Sequence, residues 1–186
     1  MKIVVTSRIA TAVAAVFVAL SVSLALVVIQ QGTAQARPVV AASDRDNDSP
    51  ACVRSPHLLD RNKHNAMAFY TTAFNDKNPR KAVALYGGAE YIQHNPLAAN
   101  GFDAFISFVE SFTTAFPDAH IQIVRVIAEC DLVVTHSLAT GAVPVYTALG
   151  TKLVDIFRLD KNGKIVEHWD VGAAISATSA NGNPEV

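Results

Sequence analysis

The sequence predicts an α+β domain in which helices come first and a mostly antiparallel sheet follows. Apolar residues recur at helical spacing between Asn62 and Phe116. From His120 onward, Val and Ile gather in short runs, and turn sequences such as Asp160-Lys161-Asn162-Gly163 separate those runs. Such a sheet, curved around helices packed on one face, would leave a cone-shaped cavity.

Each element has its own signal. Between Asn62 and Asn75 the residues Ala66, Met67, Tyr70, Ala73 and Phe74 form one helical stripe. Asn78-Pro79 supplies a cap and a first-turn proline for a second, short helix, which Gly87-Gly88 ends. After a short segment, Glu90 to Asn95, Gly101 opens a third helix. Its Phe105, Phe108, Val109, Phe112 and Phe116 recur on one face until Pro117, so that face is expected to pack on the sheet. Four strands follow: His120 to Glu129, Leu132 to Thr140, Thr147 to Leu159 and Lys164 to Ala173. Glu129-Cys130-Asp131, a loop over residues 141–146, and the turn at Asp160 to Gly163 divide them.

The start of the chain differs from the rest. Lys2 and Arg8 precede an apolar stretch from Ile9 to Ile29, and Ala34-Gln35-Ala36 fits a small-x-small cleavage site. Residues 1–36 therefore read as an export signal cut after Ala36, which places the remainder outside the cytoplasm. The alternative is an uncleaved membrane anchor, since the stretch is long enough for the ~20 residues that span a bilayer. Residues 37–56 lack periodicity and read as a flexible leader, 57–183 as the domain and 184–186 as a tail. Residues 37–186 carry 13 Lys and Arg against 16 Asp and Glu with no basic run, which argues against a nucleic-acid partner. Cys52 and Cys130 either pair in an oxidising compartment or remain two thiols, and their spacing does not suit a zinc knuckle.

Two polar islands interrupt the apolar pattern: Tyr91-Ile92-Gln93-His94-Asn95-Pro96 and Gly163-Lys164-Ile165-Val166-Glu167-His168-Trp169-Asp170. In order along the chain, these islands, Gly101, the aromatic helix ending at Phe116-Pro117, Val154-Asp155-Ile156-Phe157-Arg158 and Ser179-Ala180-Asn181-Gly182-Asn183 resemble the SnoaL-like polyketide cyclases. These belong to the nuclear transport factor 2-like superfamily. The resemblance, running from about Asn62 to Asn183, implies the cone-shaped α+β barrel, homodimers joined through their sheets, and cofactor-free ring closure by aldol condensation. Cys130 stands where the family commonly has glycine.

Aldol chemistry needs a base for a proton alpha to a carbonyl and donors for the enolate. The resemblance makes Asp170, on a late strand, the first candidate for that base. Alternation along a strand puts His168 on the same face, where it would orient or protonate, with Glu167 and Trp169 on the other. His94 and Asn95, before Pro96, are placed to donate to a substrate carbonyl, or else to build a turn. His136, among β-branched residues, must bond within the core or face the cavity. Asp155 either lines the pocket or pairs with Arg125 or Arg158, the ion pair being preferred. Tyr91 and Trp169 complete the candidate substrate-binding set, Trp169 with interface or core packing as its plainer role. The histidines lie on separate segments without short ligand spacing, so no metal is expected, and with no phosphate loop or dinucleotide glycine pattern no cofactor is expected either. The expected partner is a small apolar substrate. A hydrolase or isomerase using the same pocket, and a secreted module that binds an apolar ligand without catalysis, are the alternatives.

Overall fold

Ser55 leads into the first helix, and Pro56 sits at its first position, where an N–H would have no partner within the helix. The computed structural model describes residues 55–186, all within one compact unit, Asp44–Val186. The export segment, its cleavage after Ala36, most of the leader and the pairing of Cys52 lie outside the described residues. Among the described residues no helix is long and apolar enough to cross a membrane.

Helix α1 (Pro56–Tyr70) thus starts earlier than the apolar stripe from Asn62 suggests, because its first turn is opened by Pro56 and not by apolar periodicity. Its end runs into a π-helical turn, Thr71–Asn75. That wider turn presents the Asn75 amide to the sheet, where it donates to Ile121 O and accepts from Ile121 N, both at 2.9 Å. Helix α2 (Pro79–Tyr86) is capped by Asn78, whose Oδ1 accepts from Lys81 N at 3.0 Å. The two glycines that end α2 also begin a strand, β1 (Gly87–Gln93), longer than the segment expected there. A Cβ on Gly88 would stand 2.6 Å from Val166 Cγ1, so glycine is what lets this strand lie against its neighbour. Helix α3 (Phe102–Ala115) follows Gly101.

The remaining strands are β2 (His120–Glu129), β3 (Leu132–Thr140), β4 (Thr151–Leu159) and β5 (Ile165–Ala174). Strand β4 begins later than Thr147 because Gly150 N donates to Thr147 O at 2.9 Å and closes a turn there. The five strands form one curled, open sheet in the order β1-β5-β4-β3-β2, with β1 parallel to β5 and every other pairing antiparallel. The three helices pack on one face, giving an α+β cone. Phe69, Phe74, Phe105, Phe112 and Phe157 fill it, with Phe69 stacked on Phe105 at 4.9 Å between ring centres.

A bulge in β5 sets the register around the buried polar residues. Arg158 pairs with Glu167 and Leu159 with Ile165, so Val166 is an extra residue on β5. This bulge puts Ile165 and His168 on the same buried face, which plain alternation would not. At the far end of the sheet, α1 grips both hairpin turns. Asn62 Nδ2 donates to Cys130 O at 3.2 Å, and Asn65 Nδ2 donates to Gly163 O at 2.8 Å. Cys130 occupies a left-handed conformation, φ 56°, that normally favours glycine.

Candidate active site

The β4 and β5 register places Asp155 directly opposite Asp170 and Phe157 opposite His168, while β1 brings Gln93 beside His168. Two carboxylates facing each other across a strand pair repel unless something lies between them. Here it is the His168 imidazole, with Nε2 3.2 Å from Asp155 Oδ1 and Nδ1 3.9 Å from Asp170 Oδ2.

Asp155 is fully buried, yet it has donors on both oxygens. Tyr70, at the end of α1, donates to Oδ1 at 2.6 Å, and Thr135 on β3 donates to Oδ2 at 3.2 Å. Its expected ion pair with Arg125 or Arg158 is not made, because Asp155 lies on the inner face and both arginines serve partners elsewhere. Burial, followed by the charge of Asp155 and the bond to it, holds the Tyr70 phenol well above its ordinary range. Tyr70 is therefore a fixed donor rather than an acid.

The imidazole's orientation follows from its neighbours. Gln93 Oε1 accepts from Asn95 N at 3.0 Å, which leaves Gln93 Nε2 to donate to His168 Nδ1 at 3.1 Å. Nδ1 is then the acceptor, and Nε2 carries the proton given to Asp155. Tyr91 packs flat against His168, with ring centres 6.3 Å apart, and its hydroxyl accepts from Gln93 at 3.3 Å. Burial raises the Tyr91 phenol above its ordinary range, with the charges of Asp170 and Asp155 adding to it.

Asp170 is different from Asp155. Its side chain is 25 % exposed against 1 % for Asp155. Asn95 Nδ2 holds both of its oxygens, at 2.8 and 3.1 Å, while Asn95 Oδ1 accepts from Leu97 N. Asn95 therefore builds the turn and holds the carboxylate at once. The arrangement gives one saturated carboxylate, one imidazole with a defined tautomer, and one carboxylate open to a visitor. Together they place a carboxylate that can take a proton beside an imidazole held in one orientation.

Three expected site residues stand elsewhere. His94 is on the outer face, with Nε2 2.7 Å from Glu167 Oε1 and its ring stacked on Trp169 at 4.5 Å. Its backbone N–H donates to His168 O at 3.0 Å, but its ring does not meet the His168 ring, because alternation after Tyr91 and Gln93 sends His94 to the other face. Trp169 belongs to that outer face, beneath the Arg158 guanidinium. His136 is also outward, since Val133, Thr135, Ser137 and Ala139 are the buried face of β3, and it faces Arg125 at 2.9 Å. Tyr70, Gln93 and Thr135, in contrast, belong to the cluster. Tyr70 was hidden in an apolar stripe, and Thr135 in a strand whose polar inner positions were the available signal.

Asp155, His168 and Asp170 each offer a ligand atom within 4.8 Å of the others. A cation held by all three would have to displace a bond at one of the imidazole nitrogens, both of which are engaged. A shallow depression of about 260 Å³ beside Leu59, Ile127, Ala128 and Glu129 lies away from this chemistry.

The comparisons agree with the fold. The chain is similar to a candidate SnoaL-like polyketide cyclase of Jannaschia sp. CCS1, with 19 % identity, 64 % of this chain and 89 % of that one covered, and a TM-score of 0.53. A candidate polyketide cyclase of Bacillus cereus ATCC 10987 matches at 19 % identity over 60 % of this chain and 74 % of that one, TM-score 0.51. An LEH-like epoxide hydrolase of M. tuberculosis matches at 14 % identity over 62 % and 84 %, TM-score 0.51. No curated protein matches the sequence. At these identities the solved structures speak for the fold alone. The model of the SnoaL-like domain matches residues 66–168, more than half of the sequence, and the chain belongs to the SnoaL-like domain family.

Proposed function

We propose that the chain is a cofactor-independent acid/base enzyme acting on a small, largely apolar carbonyl compound, by aldol-type cyclisation or a related isomerisation. The observation that carries this reading is the asymmetry between the two carboxylates that flank His168. Asp155 has its oxygens filled by Tyr70, Thr135 and His168, whereas Asp170 reaches solvent and is held by one amide. Asp170 removes the proton alpha to the carbonyl, giving an enolate and a neutral carboxyl that returns the proton to the alkoxide of the closed ring, or to carbon in an isomerisation. Asp155 and Gln93 fix the His168 imidazole at the inner side of Asp170, and Asn95 keeps Asp170 in place.

Deuterium exchange at the alpha carbons of cyclohexanone, followed by NMR in heavy water, tests this without knowledge of the natural substrate. The protein should accelerate exchange above buffer, and Asp170→Asn should remove about 10²–10⁴-fold of that acceleration. Equal exchange by both proteins, or none above buffer, would sink the enzymatic reading. A binding module is favoured by one observation: every polar group around Asp155 is already paired within the protein. A ligand retained unchanged by wild type and by Asp170→Asn would support it.

Export and pairing belong to the same proposal. Export rests on the apolar stretch Ile9 to Ile29, and N-terminal sequencing of the secreted chain should begin at Arg37. Pairing through the outer sheet face rests on exposed Ile127 and Val171, and sedimentation should then give twice the chain mass.

A further inference from the structure

Ser137 Oγ is fully buried on the inner face of β3 and, among the described residues, is the buried side-chain polar atom without a hydrogen-bond partner. A group in that position costs stability until something meets it. Its cross-strand neighbours are Ile123 and Leu153, both packed on the apolar core, and neither can supply a bond. Two residues along the same face is Thr135, whose hydroxyl already serves Asp155. That spacing is about 7 Å along a strand. Tyr146, between β3 and β4, lays its ring against Phe112 at 5.8 Å and packs on the same core. Burial, and then the charges of Asp155 and Asp170, push its phenol up to about 12.

We propose that Ser137 Oγ and the Tyr146 hydroxyl form a second polar pole on the inner face, which receives an oxygen of the ligand. The ligand is then a compound with two oxygen functions, a carbonyl at Asp170 and a second carbonyl or hydroxyl at Ser137, separated by an apolar carbon frame. A serine hydroxyl both donates and accepts, so it suits either oxygen type. The inference rests on the acid/base reading for the placement of the first oxygen. The second pole stands on the orphaned hydroxyl and the phenol beside the core.

The test compares cyclohexanone with 1,4-cyclohexanedione, titrated into the isotope-labelled full chain and followed by amide NMR. The dione should bind about tenfold tighter, the worth of one added hydrogen bond, and shift the amides of Ser137 and Tyr146. Ser137→Ala should abolish that preference, so that the two ketones bind alike. Without ligand, the same variant should melt a few degrees higher, because the orphan is gone. Tyr146→Phe keeps the ring contact with Phe112 and should reduce the same preference, so the question stays open to test even if Ser137→Ala fails to fold. Equal affinities for the two ketones, or a preference that survives both variants, overturns the second pole. If both ketones still shift Asp170 and exchange still depends on Asp170, the acid/base reading stands alone. If the Ser137-dependent preference persists while no Asp170-dependent exchange occurs, the pole stands and the acid/base reading falls. Binding of neither ketone overturns both.

Discussion

On the outer face of the sheet His94 Nε2 lies 2.7 Å from Glu167 Oε1, and on the inner face His168 Nε2 lies 3.2 Å from Asp155 Oδ1. The outer pair is closer, and it extends into a network: Glu167 also takes Arg158 Nε at 2.9 Å, and Arg158 reaches Asp131 at 2.7 Å. Its histidine side chain is 40 % exposed, against 4 % for His168. Two charges 4 Å apart attract by about 1 kcal/mol in water and about 4 kcal/mol at an effective dielectric of 20. The contact distance therefore does not separate a surface network from a site. The separation comes from burial, from a full set of donors on one carboxylate, and from an opening at the other.

Removing Asp155 should break the inner region most severely. Asp155→Ala strands the Tyr70 hydroxyl and the His168 Nε2 proton in the core. It should cost about 3–5 kcal/mol of stability by urea unfolding. A loss below about 1 kcal/mol would mean that the cluster is wetter than its burial indicates.

Alkaline pH should act next. Tyr70, Tyr91 and Tyr146 all have folded values raised above the ordinary 10.0. Above that pH the unfolded chain loses phenolic protons that the folded chain keeps, so stability falls as pH rises. Each phenol contributes a slope of up to about 1.4 kcal/mol per pH unit until its folded value is reached, which for Tyr146 is about 12. Unfolding curves collected across this range should show the fall, and Tyr70→Phe should make it shallower. A slope unchanged by that variant would remove Tyr70 from the account.

The outer region should respond least. His94→Ala should change stability by about 0.2–1 kcal/mol, with the difference shrinking in high salt, and should leave alpha-proton exchange untouched. An exchange defect in His94→Ala would erase the distinction between the two faces.

Much of the fold could be read locally. Asp160 to Gly163 announces a hairpin, and the phenylalanine spacing in Phe102–Ala115 announces a buried helix face. The parallel pairing of β1 with β5 could not, because it joins segments whose own sequences say nothing about each other. The site was half legible for the same reason. His168 and Asp170 declare a shared face through their spacing, but His94 and His168 look equally suitable until alternation past Gln93 and the bulge at Val166 sort them to opposite faces. Tyr70 carries no local sign of its role, since its place in an apolar stripe is also where a core tyrosine belongs. The preference for an Asp155 ion pair failed because Tyr70, a donor from another element, was already within reach.

The two asparagines of α1 have a kinetic meaning. Asn62 binds a carbonyl 68 residues away and Asn65 one that is 98 residues away, each at the turn of a different hairpin. Contacts of such sequence separation reward the chain only after the intervening loops have closed, so they belong to the late side of the folding barrier. Stabilisation of that kind slows unfolding more than it speeds folding. The helix that folds from the most local information thus acts, through two side-chain amides, as a latch on the lifetime of the sheet.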